Sequence, residues 1–147
     1  MENYLFVYGT LMDDIQSKIA TFLKANSELL GQAQMQGYLY DLGSYPGAVF
    51  DQHAADVVHG HLYQLENLTQ VLSVLDTYEG ISSSFPKDKN EYLRTLCPVT
   101  HRGIIYQAWV YVFQQSTQQL VQITSGDYLA FLKDQGNASH QAFIDSV

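Results

Sequence analysis

The sequence predicts an α+β protein built on a mixed β-sheet. Strand-like runs arrive in groups, three between about residues 32 and 65 and two between 91 and 113, instead of alternating regularly with helices. Helical spacing of apolar residues is confined to stretches near 15–23, 71–75 and 128–135. The chain of 147 residues is 46% hydrophobic and 13% aromatic, enough for one packed domain spanning 1–147 and too apolar for disorder.

Taken in order, Tyr4–Tyr8 is an aromatic, apolar run that stops at Gly9, the pattern of a buried strand. Asp13 is a good N-cap with Gln16 at the reciprocal position, and Ile15, Ile19, Phe22 and Leu23 then give a helix to about Lys24. Gln32–Tyr40 reads as a strand, Gly43–Gly47 as a turn and Ala48–Phe50 as a short strand. Val57–Leu65 is a clearer strand, with Val57, His59, His61, Tyr63 and Leu65 on one face. Asn67, paired with Gln70, is expected to cap a helix whose stripe is Val71, Leu72 and Leu75 and whose C′ residue is Gly80, leaving Tyr78 and Glu79 in the last turn. Ile81–Asn90 is polar and turn-rich and reads as a mobile loop. Glu91–Thr100 and Ile104–Phe113 form an antiparallel hairpin about His101-Arg102-Gly103. Ser125-Gly126-Asp127 opens a helix from Tyr128 to Gln135, stopped by Gly136, and a further short helix is read to Ile144.

Composition excludes several classes of function. Fifteen acids against seven bases give a net charge of −8, with only two Arg and five Lys, so neither nucleic acid nor an anionic membrane surface is an expected partner. One cysteine rules out an internal disulfide framework and Cys-rich zinc sites. The start, Met1-Glu2-Asn3-Tyr4, lacks the positive region of a secretory signal, and no apolar run approaches the ~18 residues of a membrane span. The expectation is a cytoplasmic protein.

Four features bear on chemistry. The Gly9-Thr10 junction, between a buried strand and a capped helix, serves either plain chain reversal or a main-chain cradle for a carboxylate or phosphate. Glu79, at a helix C-terminus beside Tyr78, is either a surface acid or a general base, its ionised form disfavoured by the helix dipole and by any burial. His59 and His61 form an H-x-H pair with no third ligand at a recognisable spacing, so no metal is expected there. Cys97 and His101 flank Pro98 in the hairpin, which favours a buried structural thiol over a nucleophile. The sequon Asn137-Ala138-Ser139 carries no meaning in a cytoplasmic chain.

Together these pieces resemble the γ-glutamylcyclotransferase superfamily, in its bacterial and γ-glutamylamine branch. Leu5-Phe6-Val7-Tyr8-Gly9-Thr10-Leu11-Met12 looks like the family's substrate loop. Tyr45-Pro46-Gly47, Gly60–Leu65, Leu75-Asp76-Thr77-Tyr78-Glu79-Gly80, Tyr92-Leu93-Arg94, Ala108–Val112 and Ser125–Tyr128 follow in the family's order. The resemblance implies a strongly curled, barrel-like sheet with flanking helices and a cavity at one end. It implies that Tyr8, Gly9, Thr10 and Leu11 grip the substrate's α-carboxylate, that Glu79 is the general base, and that Tyr128 and Tyr92 line the substrate site. The implied reaction is attack of a γ-glutamyl substrate's own α-amino group on its γ-carbonyl, releasing 5-oxoproline and a free amine without metal or organic cofactor. The alternative is a non-catalytic module binding an amino-acid-like carboxylate in the same pocket. Twelve residues, Gly80 to Glu91, separate Glu79 from Tyr92 and include Lys87 and Lys89. They are expected to act as a lid or specificity loop, which leaves the leaving amine open.

Overall fold

A computed structural model describes residues 3–9, 18–43, 45–78 and 90–133. Seven strands and two helices follow in the order β1 (Tyr4–Val7), α1 (Lys18–Ala25), β2 (Ser27–Asp41), β3 (Pro46–Phe50), β4 (Val57–Leu65), α2 (Leu68–Tyr78), β5 (Tyr92–His101), β6 (Ile104–Phe113) and β7 (Val121–Gln122), with further helical residues at 128–133. The strands run β3-β2-β4-β1-β6-β5, and a β2–β5 contact at Gln34 and Thr100 closes the central five into a barrel. The sheet is mixed, because β1 lies parallel to β6 and antiparallel to β4. The fold is therefore α+β with a barrel-like sheet.

Period two along the strands sorts side chains into two buried clusters. Phe6, Tyr8, Met35, Val58, Leu62, Val99 and Val110 fill the barrel. Leu5, Val7, Tyr63, Leu65 and Tyr111 face outward and are covered by Leu23 of α1 and by Val71, Leu72 and Leu75 of α2. Each fully buried Leu or Val stabilises this packing by about 1.5–3 kcal/mol. The expected one-sided face of β4 is thus divided. Tyr63 and Leu65 lie beneath the helices, whereas His59 and His61 remain half-buried beyond them.

Several elements differ from their sequence reading. β2 starts five residues before Gln32, because a register shift between Leu29 and Gly31 absorbs an extra residue while the strand continues along β4. Gly31 holds φ at 135° there. At its other end β2 leaves β4 after Gln36↔Val57 and takes β3 as partner from Gly37↔Phe50. Gly37 makes that exchange at φ 149°, where a Cβ would stand 2.0 Å from the Val49 carbonyl oxygen. Pro46 and Gly47, read as turn, belong to β3, an edge strand where proline costs no ladder bond. Asn67 is not a side-chain N-cap. It sits at φ 51°, its main-chain oxygen accepts from Val71 N at 3.0 Å, and its side-chain amide donates to Asn26 Oδ1 at 3.3 Å. The strand β7, two residues paired with Tyr40 and Asp41, is too short to leave a periodic signal in the sequence. The Asp13–Gln16 cap, most of the Ile81–Asn90 loop, Gly136, the sequon and the helix to Ile144 lie outside the described residues.

Candidate active site at one end of the barrel

The end of the barrel where β1 stops is organised around the first residues of β3. Tyr8 directs its ring into the barrel and is buried. Its hydroxyl donates to the main-chain oxygen of Tyr111 on β6 and accepts from the Ala48 amide at 3.2 Å. Ala48 lies on an edge strand and is fully buried, so this hydroxyl satisfies an amide that water does not reach. The next residue, Gly9, packs closely on Pro46, since a Cβ built on it would lie 3.2 Å from Pro46 Cγ. Tyr92 opens β5 and donates its hydroxyl to the Pro46 oxygen at 2.5 Å. Its ring meets those of Phe113 and Tyr45, with centroids 6.2 and 6.4 Å away. The segment Pro46–Ala48 is thereby held by Tyr92 at its carbonyl, by Tyr8 at its amide and by Gly9 at its ring.

Tyr128 joins the same barrel-filling cluster as Tyr8 and stacks on Phe131 at 6.2 Å. Burial, and then the negative charge of Asp41, raise its phenol pKa. At the rim, Tyr45 donates to Glu91 Oε1 at 2.7 Å, and that hydrogen bond is the first cause of its raised pKa, followed by burial and the Glu91 charge. Three expected site residues, Tyr8, Gly9 and Tyr92, thus converge on Pro46–Ala48, and Tyr128 shares the barrel-filling cluster with Tyr8. Tyr8 and Tyr92 have their hydroxyls committed to main-chain groups, so the tyrosines build the wall as well as face it. Thr10, Leu11 and Glu79 lie outside the described residues.

Sequence reasoning missed a second set of groups beside this wall. Asp76, in the last turn of α2, takes Arg94 Nε at 2.8 Å on Oδ1 and Nη2 at 3.2 Å on Oδ2. The Tyr111 hydroxyl donates to Asp76 Oδ1 at 2.6 Å, and the Arg94 guanidinium lies 4.8 Å from the centre of the Trp109 ring. One local signal points to it: α2 has no basic residue in its last turn, so an acid there needs a cation from elsewhere.

The remaining candidates separate from this site. His59 and His61 line a groove of about 960 Å³ on the outside of the barrel, together with Gln32, Gln34, Arg102 and Lys133. Among the described residues no three His, Cys, Asp or Glu side chains gather as a metal site would require. Cys97 is buried inside the barrel, and burial pushes its thiol up to about 11, far from a reactive thiolate. His101 is turned to the Gln32 main-chain oxygen at 2.7 Å, and four extended residues set it about 13 Å from Cys97. No helix among the described residues is long and apolar enough to cross a membrane.

A family model described as gamma-glutamyl cyclotransferase, AIG2-like, matches residues 5–130, from the first strand of the barrel to the helical residues bearing Tyr128. The chain belongs to this γ-glutamylcyclotransferase family. Escherichia coli YtfP, a gamma-glutamylcyclotransferase family protein, is 35% identical over 127 residues, covering 85% of this chain and 95% of YtfP. The solution structure of YtfP superposes with a TM-score of 0.58 at 34% identity, over 86% of this chain and 96% of that one. YkqA of Bacillus subtilis gives a TM-score of 0.63 at 25% identity, and this chain spans 44% of its length. An AIG2-like protein from mouse shares the fold, with a TM-score of 0.61 at 21% identity over 80% of each chain.

Proposed function

We propose that this protein is a cyclotransferase that converts a γ-glutamyl amine or γ-glutamyl peptide into 5-oxoproline and a free amine, with Glu79 as general base. The observation that carries the reading is the family match over residues 5–130, a range that spans Tyr8–Leu11 and Glu79. The buried seam of Tyr8, Gly9, Pro46 and Tyr92 supports it, because it fixes the start of that loop against a rigid wall. In the proposed site the main-chain amides of Tyr8–Leu11 hold the α-carboxylate, and Tyr92 and Tyr128 line the cavity.

The substrate brings its own nucleophile. The Glu79 carboxylate takes one proton from the α-ammonium group. The freed amine attacks the γ-carbonyl carbon, and a C–N bond forms as a five-membered ring closes. The original amide C–N bond then breaks. The leaving amine receives the proton from Glu79 and a second from the ring nitrogen, so it departs as an ammonium ion and charge is conserved. Attack within one molecule needs no second reactant, and most of the acceleration comes from holding the glutamyl chain folded. Main-chain donors aimed at the developing oxyanion add to it. The reaction as drawn uses only this chain's residues and the substrate.

The test is release of 5-oxoproline from a panel of γ-glutamyl amines and dipeptides, with Glu79→Gln alongside. Turnover by the wild type and a loss of about 10²-fold or more in the variant, with ligand binding retained, are expected. A wild type that binds γ-glutamyl ligands yet releases no 5-oxoproline would replace this reading with a carboxylate-binding module. Full turnover in Glu79→Gln would remove Glu79 from the mechanism.

A further inference from the structure

We infer that Asp76 is a positioning residue for the proposed reaction: gripped by Arg94 and Tyr111, it locks the last turn of α2 to the strand that also anchors Tyr8. The inference rests on Glu79 being the base, since Glu79 follows Asp76 by three residues.

A carboxylate in the last turn of a helix faces the negative end of the dipole, and α2 supplies no cation of its own there. Arg94, from β5, meets it as a two-pronged fork at 2.8 and 3.2 Å. Such a fork sets orientation as well as distance. The pair is about a quarter exposed, with relative accessibilities of 27% and 23%, and an ion pair this open to water adds little to stability. Geometry is therefore its more valuable contribution. Arg94 is itself braced over Trp109 and lies opposite Tyr111 in the β5–β6 register.

Tyr111 joins the two halves of the site. Its hydroxyl donates to Asp76 Oδ1 at 2.6 Å, and its main-chain oxygen accepts from the Tyr8 hydroxyl. A continuous path of hydrogen bonds thus runs from the start of the proposed carboxylate loop, through one residue of β6, to the helix end that precedes the proposed base. Tyr8 and the last turn of α2 are thus fixed to a common strand, β6.

The experiment follows p-nitroaniline release from L-glutamic acid γ-(4-nitroanilide), with 5-oxoproline measured in parallel, for the wild type, Glu79→Gln, Asp76→Asn, Arg94→Lys and the double variant Asp76→Asn/Arg94→Gln. Asp76→Asn is expected to lower kcat about 10- to 100-fold with KM within about threefold, the signature of lost alignment with binding intact. Arg94→Lys keeps the charge but not the fork, and should fall with it. The double variant should be no worse than Asp76→Asn, because both changes break one unit. Hydrogen exchange in the last turn of α2 should quicken in Asp76→Asn while its first turn keeps its protection. An active wild type, an inactive Glu79→Gln and an unchanged kcat in Asp76→Asn would overturn the clamp and leave the proposed function standing. So would a loss in Asp76→Asn that Arg94→Lys does not share. A wild type inactive on every γ-glutamyl probe would overturn the proposed function and the clamp with it.

Discussion

Replacing Tyr8 by Phe removes one oxygen atom and tests the central feature of the barrel end. That oxygen donates to the Tyr111 carbonyl and accepts from the Ala48 amide. Both partners are buried, Ala48 completely, so water does not take the hydroxyl's place. Leaving a buried main-chain group unsatisfied costs about 1–3 kcal/mol. The Ala48 amide, bonded at 3.2 Å, belongs near the lower figure, and the Tyr111 oxygen, a carbonyl with two lone pairs, loses one of its donors. The variant should therefore lose about 2–4 kcal/mol in all. For a chain of this size that is a fall in Tm of about 6–13 °C. The ring still fills its place beside Phe6, so no cavity term is added. Urea titration followed by circular dichroism measures the change directly, and an unchanged m value would show that the denatured state is not the cause. A loss below about 0.5 kcal/mol for Tyr8→Phe would refute the two-partner account of Tyr8.

Three further outcomes follow from the same geometry. Gly60→Ala sets a Cβ 2.3 Å from the Val7 carbonyl oxygen and 2.7 Å from Phe6 Cζ, so β1 must move away from β4; a loss of about 2 kcal/mol or more in a urea titration is expected. Burial holds the Cys97 thiol protonated up to about 11 against 9.0 when exposed, so its contribution to stability is complete below pH 9 and is lost as pH rises from 9 to about 11; Cys97→Ala should flatten the fall in stability over that window. The same burial predicts that alkylation of Cys97 at pH 8 is slow in the folded protein and accelerates with unfolding in urea, which mass spectrometry would follow.

Much of this protein was legible in its sequence, because much of its structure is local. The run Tyr4–Tyr8 ending at Gly9, the alternation through Val57–Leu65 and the hairpin about Arg102-Gly103 each state their own conformation. The order of motifs along the chain identified the family, and with it the barrel and the residues proposed for the site. Periodicity says which face of a strand is buried, but not what buries it. The one face of β4 is therefore split between a helix-covered half, with Tyr63 and Leu65, and a half with His59 and His61 that lines an outer groove. Closure of β2 on β5 through Gln34 and Thr100 leaves no local signature, nor does the change of partner at Gly37. The Tyr8 hydroxyl reaches Ala48 and Tyr111, forty and 103 residues away, and Asp76 finds its fork on a different strand. Hydrogen bonds of that span depend on how the sheet curls and closes, a property of all its strands at once. Sequence determined the kinds of element and the residues they carry; tertiary structure alone decided which of those residues meet.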